Sequence, residues 1–321
     1  MNKIENTKKE LLNTAVLFVV FNRLDTTKKV FKAIREVKPS RLYIASDGAR
    51  ETKEDEVQIV KDVREYITSH IDWECEVKTL FREKNLSCGP SVKQAIDWFF
   101  DNEEMGIILE DDVLPNLSFF KFSEDLLIKY KDDERVGMIS GNNHIDFNDS
   151  DEDSYVFSKF AFTWGWATWK RSWINMDLDM NWENTSFRNS IISNMGYTEK
   201  SKFYWQNRMN LIKIKKVNAW DYQWFFSLSS QNQLCIFPIH NLVTNIGFGD
   251  NATHTFGEPK QEYIKQSELS FPLIHPKYVL PLKEFEKIYE RTQINLPVFW
   301  KKIIPQPIKK LIKRLLRALK G

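Results

Sequence analysis

Short apolar runs and amphipathic helix patterns alternate through the first 140 residues. Strands are predicted at Val16–Phe21, Leu42–Ala45, Trp73–Phe81, Gly106–Leu109 and Val136–Ser140. Between them, apolar residues recur at helical spacing. This alternation predicts an α/β fold with a mixed, mostly parallel sheet flanked by helices. Such sheets bind ligands at the carboxyl ends of their strands.

The predicted helices each present one apolar face. The first carries Val30, Phe31 and Ile34, and the second carries Val57, Val60, Val63 and Ile67. The third opens at Gly89-Pro90, where a proline suits the first turn, and carries Val92, Ile96 and Phe99. A fourth is expected to begin near Leu117-Ser118.

The second half has a different pattern. Eight of the eleven tryptophans lie between Trp164 and Trp224, and Phe237–Thr255 is predicted to be loop-like. The aromatic stretch Phe162–Trp169 has two interpretations. Aromatic faces can stack on sugar rings, but most tryptophans at such spacing belong to a core. We interpret this half as the second wall of a ligand pocket.

Composition narrows the class of protein. The 321 residues include 46 basic and 44 acidic ones, and 42% are apolar. Eight Lys/Arg and no acid lie between Lys301 and Lys320, which leaves a mildly acidic body. A nucleic-acid-coating protein is therefore excluded, and no nucleic-acid partner is expected. Three cysteines are too few for a disulfide framework, and the polar N-terminus does not resemble a signal peptide. A cytoplasmic protein is expected.

The acidic triplet Glu110-Asp111-Asp112 directly follows a predicted buried strand. Adjacent carboxylates repel one another unless a cation lies between them, and oxygen ligands suit Mg²⁺ or Mn²⁺ on a substrate diphosphate. In extended geometry Glu110 and Asp112 would point to one side and Asp111 to the other. A solvated acidic turn is the alternative. The position after a parallel strand favours the metal site.

Polar residues follow the other strands at the same edge. Asp47 is a candidate for binding a base or ribose, or it forms a plain Asp-Gly turn. Asn22 and Arg23 follow the first strand, where Arg23 either faces a diphosphate or is a surface residue. Arg82 begins a polar segment before a helix N-terminus, which attracts anions.

Four segments carry a family resemblance. VLFVVFNR, SDGAR, GIILEDDVLPNLSFFKF and WDYQWF resemble the GT-A-fold nucleotide-sugar glycosyltransferases, in particular the N-acetylglucosaminyltransferase I type and related bacterial sugar transferases. The resemblance covers roughly residues 14–256. It implies that Asp112 binds Mn²⁺ or Mg²⁺, that Glu110 and Asp111 contact ribose, sugar or metal-bound water, and that Asp47 recognises the base.

The same resemblance assigns a general base. In that family the base is an aspartate after an aromatic residue, which matches Trp220-Asp221. Inverting transfer needs such a base to deprotonate the acceptor hydroxyl. The alternative is that Asp221 caps a helix buried through Trp224 and Phe225. His254, in a predicted lid loop, either binds the metal or a phosphate or is a surface residue.

The C-terminal segment Pro307–Gly321 predicts a basic amphipathic helix. Its apolar positions recur at helical spacing, and its opposite face contains six cations and no acid. This pattern favours peripheral association with an anionic membrane surface, at the inner face of the cell membrane. The alternative is a terminal helix docked on its own domain.

Together these patterns predict three parts: a catalytic domain over 1–260 (1–140 for the nucleotide, 141–260 for the acceptor), an extension over 261–300 and the helix over 301–321. The expected activity is metal-dependent, inverting transfer of a hexosyl or N-acetylhexosaminyl group. The expected donor is a nucleotide-diphosphate sugar with UDP as the expected nucleotide, and the expected acceptor is a glycan or lipid-linked glycan of a surface polysaccharide. The alternative is a non-catalytic sugar-binding or membrane-adaptor protein of the same fold.

Overall fold

The computed structural model describes residues 11–143, 145, 147, 153–217, 219–247 and 265–294. An eight-stranded sheet forms its centre. The strands are β1 (Val16–Val20), β2 (Arg41–Ser46), β3 (Glu76–Phe81), β4 (Met105–Glu110), β6 (Val136–Ser140), β7 (Tyr155–Ser158), β8 (Trp166–Trp169) and β9 (Leu234–Pro238). A separate two-stranded sheet pairs β5 (Val113–Pro115) with β10 (Val243–Asn245).

Helices cover both faces of the large sheet. They are α1 (Leu24–Val37), α2 (Glu56–Ser69), α3 (Cys88–Phe100), α4 (Leu117–Lys129), α5 (Lys170–Trp173), α6 (Arg188–Asn194), α7 (Glu199–Lys213), α8 (Asp221–Ser230) and α9 (Lys283–Gln293), with a short 3₁₀ helix at Asn181–Asn184.

The strand order is β3-β2-β1-β4-β8-β6-β9-β7. The first four strands of this order are mutually parallel, whereas β8 and β7 run antiparallel to their neighbours. The predicted α/β class, with a mixed and mostly parallel sheet between helices, is therefore confirmed. In register, Val16 lies opposite Leu42 on one side and Ile107 on the other. The carboxyl ends of β2, β1 and β4 consequently meet at one edge.

The apolar runs are continuous because both faces of the sheet are buried. Leu17 of β1 belongs to one buried cluster, whereas Val16 and Phe18 belong to the other. Helix α3 adds Ile96 and Phe99 to the first cluster, and α1 adds Phe31 and Ile34 to the second, as their spacing predicts. A parallel sheet covered on both faces has this pattern.

Three details differ from the sequence predictions. Val57 is 65% exposed, because the buried face of α2 consists of Glu56, Val60, Val63 and Ile67, and Val57 lies off that face. The third strand begins at Glu76 rather than Trp73 and pairs only with β2, so it is an edge strand. Phe237–Thr255 is not all loop, since β10 pairs with β5. Strands of three or four residues are too short to show a period in sequence.

Both predicted halves of the catalytic domain contribute strands to the large sheet. Part of the 261–300 extension is described: α9 buries Phe285 and Tyr289 against the sheet's aromatic cluster. The predicted helix over 301–321 lies outside the described residues, and the domain boundaries stay predictions. Among the described residues, no helix is both long and apolar enough to cross a bilayer.

Candidate active site

A cleft of about 290 Å³ opens at the carboxyl ends of β1, β2 and β4. The strand register explains why its residues meet: Val20 lies opposite Ser46, and Val19 lies opposite Glu110. The chain therefore leaves all three strands at the same level. The cleft is lined by Val19, Val20, Phe21, Arg23, Asp47, Arg50, Asn85, Ser87, Cys88, Ser91, Val92, Glu110, Asp111, Asp112 and Gly247.

Arg23 is the cation between the acidic residues in this structure. Its guanidinium donates to Asp111 Oδ1 through Nη2 and to Asp112 Oδ2 through Nη1, the latter at 2.7 Å. Both aspartates reach it because residues 111–112 form a turn after β4 rather than continuing the extended strand. Asp111 also accepts the backbone N–H of Phe21 at 3.1 Å. Arg23 thus pairs with the carboxylates and lines the cleft, and a contact with a diphosphate stays a prediction.

Two carboxyl groups of the triplet, those of Glu110 and Asp111, have strongly shifted pKa values. Burial, together with the neighbouring charges of Asp112 and Asp111, raises the pKa of Glu110 to about 8, while Arg23 opposes this shift. Burial also raises the pKa of Asp111 to about 6, against the attraction of Arg23. One guanidinium therefore does not neutralise three adjacent carboxyl groups. Strongly perturbed acids in a cleft are typical of functional sites.

Asp47 is held rigidly by the chain around it. Its carboxylate accepts the backbone N–H of Gly48 and of Leu86, each at 3.1 Å. Burial raises its pKa, against these two hydrogen bonds. Gly48 itself could carry no side chain, because a Cβ would overlap the backbone of Glu83 and Lys84. Asp47 thus lies in the wall of the cleft, and the turn that contains it fixes the orientation of its carboxylate.

Asn22 and Arg82 support the cleft rather than line it. The Asn22 amide donates to Glu56 Oε1 at 2.8 Å. Glu56 is buried and also binds the side chain of Arg50, which places Arg50 beside the Phe21 ring at 5.4 Å. Arg82 donates to the Ser91 hydroxyl at 3.4 Å, and its positive charge acts on Asp47.

Asp221 lies near the triplet although it is more than a hundred residues away in sequence. It is the first residue of α8, is half-buried, and follows Trp220, which occupies the cap position. Burial is the largest cause of the raised pKa values of Glu110 and Cys88, and the charge of Asp221 adds to both. The predicted base and the predicted metal ligands are therefore within electrostatic range of each other.

Gly247 closes one side of the cleft. It follows β10, and the preceding residue, Ile246, donates its N–H to the Asp112 carbonyl at 2.7 Å. A Cβ on Gly247 would overlap Asp112 Oδ2 and lie 2.7 Å from Arg23 Nη1. The backbone must therefore approach the ion pair closely, which only glycine allows. His254, seven residues further on, lies outside the described residues, so its role stays a prediction.

The aromatic stretch in β8 is mainly core. Trp166 and Trp169 are almost fully buried, on opposite faces of the sheet. Trp166 packs among Trp173, Trp220 and Trp224 with ring centroids about 6 Å apart. Trp164 is half-buried against Phe162. The tryptophans thus build the wall behind Asp221 rather than a sugar-stacking surface.

The carboxylate oxygens of Glu110 and Asp112 suit a divalent cation that is bound together with a substrate. In the part of the chain that the structure describes, no group of three or more His, Cys, Asp or Glu residues could hold a metal by itself. Glu110 and Asp112 nevertheless line the same cleft. Mg²⁺ typically takes one or two carboxylates and completes its shell with water and phosphate oxygens. The residues therefore fit a metal that arrives with a diphosphate.

Sequence reasoning missed Arg50, Glu56 and Cys88. Arg50 and Glu56 form an ion pair with each other, and only the fold shows that Glu56 is buried at the start of α2. Burial raises the pKa of the Cys88 thiol to about 12, and the charges of Glu110 and Asp221 add to this shift. Cys88 is thus a neutral group in the lining of the cleft. The SDGAR segment was the available signal for Arg50.

No protein-family model matches the chain, and no curated protein matches it. Among solved structures, HddC from Yersinia pseudotuberculosis is similar with a TM-score of 0.27 and 12% identity, over 39% of this chain and 56% of that one. TarS 1-349 from S. aureus is similar with a TM-score of 0.32 and 10% identity, over 49% of this chain and 47% of that one. The chain thus spans about half the length of each structure. Structural similarity over so small a part of each chain does not assign an activity. An activity can therefore be inferred only from the residues that line the cleft.

Proposed function

We propose that this chain is a glycosyltransferase that moves a sugar from a nucleotide-diphosphate donor, with UDP as the nucleotide, to a hydroxyl of a glycan acceptor. The observation that carries the proposal is the convergence of Asp47 and the triplet Glu110–Asp112 on one cleft. These residues come from different strands and face the edge where α/β sheets bind nucleotides. Asp221, on a separate helix, lies nearby.

Asp47 is proposed to hold the nucleoside end of the donor. Its carboxylate already accepts two backbone N–H groups, which fix its orientation. A carboxylate has about four acceptor sites, so others stay free for a base N–H or a ribose hydroxyl. Asn85 lines the same wall, where its amide donates to the Gly48 carbonyl at 2.7 Å and stiffens the turn.

The triplet is proposed to hold the diphosphate end. Asp112, with Glu110, would bind Mn²⁺ or Mg²⁺, which when bound stabilises negative charge on the leaving diphosphate. Asp111 is engaged by Arg23 and by the Phe21 N–H, so its role is to position Arg23. Arg23 in turn keeps a positive charge at the cleft floor, close to where the diphosphate would lie.

Asp221 is proposed as the general base. A base must take the proton of the acceptor hydroxyl as that oxygen attacks the anomeric carbon. The base then lies on the acceptor side of the donor sugar, opposite the diphosphate. A base in that position would give inversion at the anomeric carbon, which is therefore part of the proposal.

The test is a screen of nucleotide sugars with Mn²⁺. We expect one donor to raise the melting temperature, because a ligand that binds only the folded state stabilises it. We also expect slow donor hydrolysis, reduced about 100-fold in Asp112→Asn. Asp72→Asn is the matched control, since Asp72 also pairs with an arginine, Arg35, but on the exposed surface.

Two results would overturn the enzyme assignment. Wild-type protein that binds no nucleotide sugar would exclude it together with the proposed cleft. Donor binding without hydrolysis, and without transfer to any glycan tried, would instead favour the alternative, a non-catalytic sugar-binding protein. Equal hydrolysis by wild type and Asp112→Asn would remove the proposed metal site alone.

We further propose a lipid-linked acceptor at an anionic membrane. The support is the sequence of residues 307–321, in which six cations face away from an apolar stripe. Each cation near an anionic surface contributes about 1 kcal/mol. Removing residues 301–321 should abolish sedimentation with phosphatidylglycerol vesicles and leave donor binding unchanged. Undiminished sedimentation of the shortened chain would contradict membrane docking by this segment.

A further inference from the structure

A second arginine, Arg208, lies close to Asp221 in the fold. Arg208 of α7 is half-buried, and its guanidinium lies over the rings of Tyr204 and Tyr222, at 4.9 and 5.3 Å from their centroids. Tyr222 is the residue after Asp221, and the charge of Asp221 acts on Arg208. The same charge acts on Glu110 in the cleft. Asp221 thus lies within electrostatic range of Arg208 and of Glu110 in the cleft.

Arg208 has unused hydrogen-bonding capacity. Its Nε atom is buried and has no hydrogen-bond partner within the described residues. No carboxylate there forms an ion pair with it, in contrast to Arg23, which binds two. An arginine carries five N–H donors in a planar fork, and that fork matches the oxygens of a carboxylate or a phosphate. A half-buried cation with an unused donor therefore suits an anion.

The flanking tyrosines favour a bound anion over a purely structural arginine. Their rings hold the guanidinium plane in place, so little side-chain freedom is lost when a ligand binds. Tyr204 and Tyr222 are themselves partly exposed, so the group is reachable from solvent. The Tyr204 hydroxyl interacts with Arg208 and with Tyr222, so the guanidinium and the two hydroxyls form one polar group, and a hydroxyl can also donate to an anionic oxygen. One cation and two hydroxyls thus lie together close to the proposed base, since Tyr222 is the next residue.

We propose that Arg208, Tyr204 and Tyr222 form an acceptor subsite for an anionic group, a carboxylate or a phosphate carried by the acceptor glycan. The inference rests on the proposed function, because Asp221 is the base only if the chain transfers a sugar. An anion held here would place a hydroxyl of the same acceptor near Asp221. Arg208 is then a residue that determines acceptor specificity, and neutral glycans should be poor acceptors.

The test uses the full chain and small probes. Methyl glucuronide tests for a carboxylate, glycerol phosphate tests for a phosphate, and methyl glucoside is the neutral reference. We expect one anionic probe to bind wild type at low salt, seen by calorimetry and by a rise in melting temperature, and the neutral probe not to bind. Arg208→Gln should weaken that binding by about tenfold or more, since a charge-assisted hydrogen bond is lost.

Two controls localise the effect. Arg171→Gln removes another half-buried arginine stacked on an aromatic ring, Trp169 at 4.4 Å, whose guanidinium is already bonded to backbone carbonyls. It should bind the anionic probe as wild type does. Tyr204→Phe keeps the ring and removes one hydroxyl, so it should bind the probe more weakly even if Arg208→Gln unfolds.

Three outcomes would overturn the subsite. They are equal binding of charged and neutral probes by wild type, unchanged affinity in Arg208→Gln, and unchanged affinity in Tyr204→Phe where Arg208→Gln does not fold. Nucleotide-sugar binding, measured on the same samples, separates the two proposals. A chain that binds the donor but no anion contradicts only the subsite. A chain that binds the anion through Arg208 but no donor contradicts only the proposed transferase.

Discussion

Arg23 and Arg208 are both half-buried arginines near the proposed active site, yet their surroundings are opposite. Arg23 lies between Asp111 and Asp112, which neutralise it and which it neutralises in turn. Arg208 lies between two tyrosine rings, with no ion pair among the described residues. Arg23 is therefore a counter-ion for carboxylates of the protein itself. Arg208 has no carboxylate bonded to it among the described residues, so its charge must be balanced by more distant charges, by water or by a ligand. Substitution of Arg23 and substitution of Arg208 should therefore have different effects.

The largest expected effect is the loss of Arg23. In Arg23→Gln the buried Asp111 loses its counter-charge, and breaking one partner of a buried pair costs about 3–5 kcal/mol. Arg208→Gln loses its contacts with two aromatic rings and its interaction with the Tyr204 hydroxyl but breaks no ion pair with a carboxylate of the described residues, so the cost should be about 1–2 kcal/mol. Urea unfolding in the presence of EDTA measures both. Equal losses of unfolding free energy would contradict the assignment of Arg23 as a counter-ion.

A second prediction concerns pH. The folded-state pKa of Glu110 is raised to about 8 from an ordinary value of 4.5, so between these values the folded protein holds a proton that the unfolded chain has lost. Stability should therefore fall as pH rises from about 5 to about 8, by about 3–4 kcal/mol in metal-free protein. Asp111, with its pKa raised to about 6, contributes in the same direction at the lower end.

Glu110→Gln should flatten this pH dependence, because an amide does not titrate. Glu104→Gln is the matched control: this glutamate precedes the same strand, β4, but its side chain is 87% exposed. Urea midpoints measured from pH 5 to pH 8 give the comparison. A profile in Glu110→Gln as steep as in wild type would show that Glu110 is not the group that loses its proton.

Much of the fold was predictable because both faces of the sheet are buried. Continuous apolar runs such as Val16–Val20 and Met105–Glu110 mark central parallel strands, and their order in the chain brings Asp47 and the triplet to one edge. The short strands β5 and β10 were missed, since three residues show no periodicity.

The site was predictable in its residue types but not in its pairings. A carboxylate after each of two strands signals a cleft, so the triplet and Asp47 could be named from sequence. That Arg23 would bond with both aspartates depends on the turn at 111–112, a three-dimensional detail. Arg208 gave no signal either, because its tyrosines come from two helices, α7 and α8, that meet only in the fold.

The smallest expected effect concerns Gly247, which sharpens the comparison by disturbing Arg23 while leaving Arg208 intact. A methyl group at this position would overlap Asp112 Oδ2 and crowd Arg23 Nη1, so Gly247→Ala should separate that ion pair. Asp111 keeps its bond to Arg23, so the loss should be about 1–3 kcal/mol, less than in Arg23→Gln. The control is Gly89→Ala at the start of α3, where a Cβ would meet nothing within 4 Å apart from its chain neighbours. Because the next residue is Pro90, whose ring disfavours helical backbone in a preceding residue that has a Cβ, this control should lose a little stability in urea unfolding, but less than Gly247→Ala. If Gly247→Ala were as stable as Gly89→Ala, the backbone would have room to move, and the close approach of β10 to the ion pair would not limit the cleft. If Gly247→Ala instead lost stability and also weakened Mn²⁺-dependent donor binding, while the anionic probe still bound at Arg208, the two arginines would be shown to serve separate parts of the site.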